Sequence, residues 1–186
     1  MNSMHQQRNS VGATTTAKRP VGARRQRGAS LLEAIAYLGV AAVVVLGAVS
    51  LLNGAFGSAK SNQTSEEIVS LRTAVRKLYL GQTYGTTSMN GALIAASAVP
   101  STLTRSGTDG ITNSWGGTVT VTGDTSAFTI VYAGLPKEVC MNVVSGASGW
   151  TSVAQGKNIA DEFPVKAAKA QEVCSAASND VTFTAS

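Results

Sequence analysis

The chain has 186 residues, room for one domain of modest size with an appendage. Apolar residues make up 44% and charged ones only 13%, and there are 19 glycines but 4 prolines; this excludes a wholly disordered chain, a proline-rich linker and collagen. One histidine, His5, and two cysteines, Cys140 and Cys174, leave the body of the chain without the parts of a Ser-His-Asp triad, a Cys-His pair or a multi-histidine metal site; no enzyme activity, catalytic residue, metal or cofactor is assigned.

The net charge of +5 is unevenly placed. Arg8, Lys18, Arg19, Arg24, Arg25 and Arg27 precede residue 29 with no acid among them, whereas the remaining nine bases face all ten acids. No basic patch interleaved with aromatics follows, so nucleic-acid binding is not expected. Residues 1–28 are rich in Ser, Thr, Gly and Arg and lack apolar periodicity.

From Ala34 to Leu52 the chain runs 19 residues without a formal charge. As a helix this stretch spans roughly 28 Å, close to the hydrocarbon thickness of a bilayer. With six positive charges before it, the positive-inside rule keeps residues 1–28 in the cytoplasm and sends the rest across the membrane. That compartment permits disulfides, and two cysteines in the exported part fit one bridge; two unrelated reduced thiols are the alternative. Gly39, Gly47 and Gly54 fall within a roughly 80° arc of such a helix. They suit either a close helix–helix contact or the ordinary glycine content of a membrane helix. Glu33, at the edge of the apolar run, lies either at headgroup level, where the helix dipole favours it, or awaits a positive partner.

Three fates of the N-terminus fit these residues. Gly57-Ser58-Ala59 suits an ordinary secretory cut that leaves Lys60 first, although the apolar run is long for a signal peptide. The run also suits an uncleaved anchor. A cut between Gly28 and Ala29 would remove the basic leader and leave the helix at a new N-terminus.

Further on, Ile68, Leu71, Val75 and Leu78 form an amphipathic helical stripe, with Glu66, Glu67, Arg72, Arg76 and Lys77 around it. Gly54, Gly57 and the polar stretch 58–65 allow a break near 57–63, and Thr64-Ser65-Glu66-Glu67 reads as a capping box opening a second helix. Gly81 closes the helix. Gly91–Val99 is a short apolar run ended by Pro100. Thr118–Val121 and Phe128–Tyr132 read as a hairpin with Gly123-Asp124 at its turn. Lys137–Val144 suits a short helix carrying Cys140, Val165–Cys174 another, and Val181–Thr184 a last strand. The sheet is expected to pack on the stripe of Ile68, Leu71, Val75 and Leu78. Gly156-Lys157 fails as a phosphate loop, because Asn158 follows where Ser or Thr is needed. Asp161-Glu162 reads as a solvated loop pair rather than a catalytic one, and Trp115 and Trp150 as core or loop anchors, with a surface contact the alternative for Trp150.

The string Arg27-Gly28-Ala29-Ser30-Leu31-Leu32-Glu33, with the apolar helix after it, resembles the processing site of type IV prepilins. The resemblance implies cleavage after Gly28, an N-methylated mature terminus at Ala29, and an assembly role for Glu33, the fifth mature residue. The long leader and the alanine at the first mature position point to the type IVb branch. Leu78–Tyr84 looks like the end of the long helix in bundle-forming and conjugative-plasmid pilins, Asn113–Gly117 like the segment leading into their sheet, and Cys140 and Cys174 like the disulfide pair that closes their C-terminal loop.

The fold implied is α+β: a long N-terminal helix packed on an antiparallel sheet with a disulfide-closed C-terminal region. Its parts are a leader over 1–28, a hydrophobic helix over 29–52, an amphipathic continuation over 53–80, and a globular head over 81–186. The resemblance also implies one long helix through about Leu80 and a last strand inside the sheet. The function implied is that of the major subunit of a type IVb pilus, stored in the inner membrane and polymerised outside the cell for adhesion, aggregation or conjugation. Its partners would be copies of itself, a prepilin peptidase and the inner-membrane assembly machinery. A minor pilin or secretion pseudopilin shares the same N-terminus, and a secreted or anchored periplasmic ligand-binding domain is the reading from another class.

Overall fold

A computed structural model describes residues 30–186, and the backbone alone for 53–55. The leader expected over 1–28, with Gly28, and the expected mature terminus Ala29 lie outside the described residues.

Helix α1 spans Leu31–Leu78. No proline lies between Pro20 and Pro100, so nothing strips the helix of a backbone donor. Glu33 stands in its first turn and Arg76 and Lys77 in its last, each complementing the helix dipole. The sequence leaves a break near 57–63 open, but the helix runs on through these residues. Adding a residue to an existing helix is far cheaper than nucleating a second one. Nor does Thr64 cap a new helix: its hydroxyl accepts from the Trp115 indole at 3.2 Å. The helix ends where predicted, with Gly81 in the left-handed region at φ 76°.

The chain divides into two compact units, Met1–Val44 and Val45–Ser186. The described part of the first is the opening of α1, all of it exposed. The second holds one hydrophobic core. Ile68, Leu71 and Val75 are buried in it as the stripe predicts, and Leu78 is half-buried at its margin. The buried face extends further up the helix than hydrophobicity indicates, because Ser61, Thr64 and Glu67 are also buried.

After α1 come α2 (Asn90–Ala95) and a small ribbon of β1 (Thr104–Ser106) and β2 (Gly110–Thr112). The main elements follow as β3 (Val119–Asp124), β4 (Ala127–Pro136), α3 (Lys137–Ser145), β5 (Ser152–Gln155), β6 (Asn158–Ala160), α4 (Ala167–Val173) and β7 (Ser178–Ala185). The five-stranded sheet has the order β3-β4-β7-β5-β6, and every neighbouring pair is antiparallel. The last strand therefore sits in the sheet's centre. Val121, Ile130 and Phe183 stand opposite one another across β3, β4 and β7, and all three are buried. Alternation along each strand sends these side chains to the helix-facing core.

The β3–β4 turn is displaced from its expected place. Gly123 and Asp124 belong to β3, and the two-residue turn is Thr125-Ser126, with Thr125 at φ 41°. Gly123 is needed for another reason. The segment 84–89 lies along the free edge of β3, and a Cβ on Gly123 would collide with the Tyr84 carbonyl. That segment satisfies edge groups which would otherwise invite pairing. Strands β1, β2, β5 and β6 are not evident in the sequence; each has three or four residues. Gly156-Lys157 is the turn between β5 and β6.

Candidate functional site

Helix α1 presents two chemically different stretches. From Leu31 to Leu52, leaving aside Gly, every side chain but Glu33, Tyr37 and Ser50 is apolar, and all of them are exposed. An 18-residue window of the helix has a mean hydropathy of 2.5, so the helix is long and apolar enough to cross a membrane. A helix apolar on every side, with all of that surface exposed among the described residues, requires another apolar environment. Each Leu or Val left in water forgoes roughly 1.5–3 kcal/mol. Nothing lies within 4 Å of the position a Cβ would take on Gly39 or Gly47, so both backbones are open to close approach.

Glu33 is the only charged side chain in this stretch. It stands in the first turn, where the unpaired N–H groups favour an anion. Its Oε1 accepts a hydrogen bond from the Tyr37 hydroxyl, one turn further on, at 3.4 Å.

From Ser61 to Leu78 the same helix is fastened to the head. The Glu67 carboxylate, which the sequence places beside the apolar stripe, is 2% exposed. It accepts from the Tyr132 hydroxyl on one oxygen and from Gln63 Nε2 at 2.8 Å on the other. These donors replace water and make its burial tolerable. Burial, then the hydrogen bond to Glu67 and its charge, push the Tyr132 phenol up.

Arg72 donates through Nη1 to the carbonyls of Ser148 and Gly149, at 2.8 and 2.7 Å, while its guanidinium lies 4.6 Å from the Trp150 ring centre. Partial burial, and next the charge of Arg76, lower its pKa. Arg76 reaches the carbonyl of Ser186 at 2.6 Å. Trp150 packs on Phe183 and is buried, so it is a core anchor. Trp115 is half-buried under Lys60, in a turn held by Asn113, whose Oδ1 accepts from the backbone N–H groups of Trp115 and Gly117. Sequence reading places none of these polar fastenings, because each joins residues far apart in the chain.

Cys140 on α3 and Cys174, just after α4, form a disulfide with their Cα atoms 5.8 Å apart. Both are fully buried. Asp161 and Glu162 are exposed after β6. Among the described residues no group of three His, Cys, Asp or Glu is placed to hold a metal. A shallow, mainly apolar groove of about 560 Å3 runs along the outer face of α1 between Val69 and Leu78, closed on one side by Ala96 and Ala98.

Comparison with known proteins accounts for this arrangement. The family described as PilS N terminal matches residues 58–186. The major structural subunits of the bundle-forming pilus of Escherichia coli O111:H- and of Escherichia coli O127:H6 (strain E2348/69 / EPEC) are each 29% identical over 141 residues. The alignment covers 74% of this chain and 73% of the relative in both cases. The crystal structure of a type IV b pilin from Salmonella typhi superposes with a TM-score of 0.54 at 26% identity, over 64% of this chain and 94% of that one.

Proposed function

Because this chain belongs to the PilS N-terminal family and is a type IVb pilin, we propose that it is the major structural subunit of an extracellular filament, held in the membrane until it assembles. The observation that carries this reading is the apolar stretch of α1, every side chain of which is exposed among the described residues. Lipid solvates such a helix before assembly, and sister helices replace lipid afterwards. Moving from lipid to sister helices gains no hydrophobic free energy, so packing decides the exchange, and the open backbones at Gly39 and Gly47 suit it.

On this reading a prepilin peptidase cuts after Gly28 in the cytoplasm while the head lies outside. The cut frees an α-amino group on Ala29, with a reference pKa near 8, which is then methylated. The amine is a cation among apolar helices, and Glu33 of a neighbouring copy neutralises it. A buried charge left alone is strongly disfavoured, so a subunit out of register is rejected. The inner-membrane assembly machinery would supply the work of extraction.

Terminal sequencing of the chain from sheared filaments tests the reading. We expect methylated Ala29, abundant in the filament as a major subunit must be. Lys60 at the terminus would indicate ordinary secretion, and Met1 an uncleaved anchor. The Glu33→Ala chain is expected to be cleaved but to assemble poorly; a normal filament yield at wild-type expression would remove the role given to Glu33.

A further inference from the structure

A carboxylate that must pass from a headgroup or lipid environment into a bundle of apolar helices needs donors at both oxygens. The neighbour's amine meets one. Between Ser30 and Leu52 only Ser30, Glu33, Tyr37 and Ser50 carry a polar side chain, and among the described residues Ser30 makes no hydrogen bond to Glu33. Ser50 lies 17 residues beyond Glu33, about 25 Å along the helix, out of reach. Tyr37 is one turn away on the same face, and its hydroxyl donates to Oε1 at 3.4 Å. Among the described residues no ion pair holds Glu33 and no donor meets its Oε2.

We propose that Tyr37 is a positioning residue for assembly: it occupies Oε1 of Glu33 and leaves Oε2 to the cation of an incoming copy. The inference rests on the assembly role proposed for Glu33. In water an exposed contact of this length contributes little. Without water the same hydroxyl replaces a lost solvent donor, and its interaction with an anion strengthens as the dielectric falls. Tethering one oxygen also fixes the side-chain rotamer beforehand, so less freedom is lost when the amine arrives. A tyrosine that merely anchors its ring at the membrane surface would need no hydroxyl, and phenylalanine would serve it nearly as well.

The test uses the full chain in pilus-producing cells, each tagged variant co-expressed with the untagged wild type. The tagged fraction in sheared filaments is divided by the tagged fraction of mature chain in the membrane, which corrects for expression and cleavage. Tyr37→Phe keeps the ring and is expected to enter filaments about tenfold less often, as for a lost hydrogen bond to a charged group. In a Glu33→Gln background the same change is expected to add no further loss, because the hydroxyl acts only through the carboxylate. Wild-type incorporation of Tyr37→Phe, or losses that multiply in the double variant, would overturn the positioning role while leaving Glu33 its own. Wild-type incorporation of Glu33→Gln would overturn both.

Discussion

The hydroxyl of Tyr132 on β4 donates to the carboxylate of Glu67 on α1, and the two residues are 0% and 2% exposed. The bond ties the sheet to the helix one turn before Leu71. Tyr132→Phe leaves a buried carboxylate short of one donor. It is expected to destabilise the detergent-solubilised chain by about 1–3 kcal/mol, read as a lower urea midpoint with an unchanged slope.

The same pair sets an alkaline limit. An unfolded tyrosine ionises near pH 10, whereas the folded Tyr132 keeps its proton well above that value. Above pH 10 the unfolded state therefore binds fewer protons than the folded one, and stability falls as pH rises. The Tyr132 contribution is fully present below pH 10 and is lost as pH climbs toward the folded value. Urea midpoints taken from about pH 8 to 12 should decline above 10 in the wild type. The decline should be shallower in Tyr132→Phe.

The Cys140–Cys174 bridge closes a loop with a sequence separation of 34. On the chain-entropy account such a loop contributes roughly 3–4 kcal/mol. Replacing both cysteines by serine should lower the urea midpoint accordingly. Since both sulfurs are buried, reductant should act on the wild type only at denaturant levels that open the fold.

Arg72 holds the segment carrying Ser148, Gly149 and Trp150 against α1 with two hydrogen bonds and a stacked ring. Lysine keeps the charge but has no planar fork to do both at once. Arg72→Lys should cost about 1–2 kcal/mol and speed amide exchange in residues 146–151, with little change in the β4–β7 ladder.

Gly117 and Gly134 lie at a β4 irregularity where two backbones meet. A Cβ on Gly117 would collide with the Ala133 carbonyl. Gly117→Ala should therefore destabilise the head by about 2 kcal/mol or more. Gly47→Ala, with nothing within 4 Å, should leave the urea midpoint unchanged or slightly raised.

The membrane-length run at 34–52, the isolated Glu33, the stripe of Ile68, Leu71 and Val75, and the helices around the two cysteines are all legible in the residues, because each depends on composition or short-range period. The β3–β4 hairpin is legible too, though its turn lies two residues from the expected place. Gly123 is required by contact with Tyr84, not by the turn itself. The short strands β5 and β6 leave too few residues for a period to register. The burial of Glu67 is not legible: nothing local distinguishes it from Glu66 beside the apolar stripe, and only Tyr132 and Gln63 supply the donors that make its burial tolerable.

Local pattern thus determined that this chain has a helix needing an apolar environment and a disulfide-capable head, since hydrophobic period and charge spacing act over a few turns of chain. Tertiary structure alone decided how the head grips the helix, through Glu67 with Tyr132, Arg72 with Trp150 and Thr64 with Trp115. Those pairs are 51 to 78 residues apart, and a polar side chain carries no mark of the distant partner that will satisfy it.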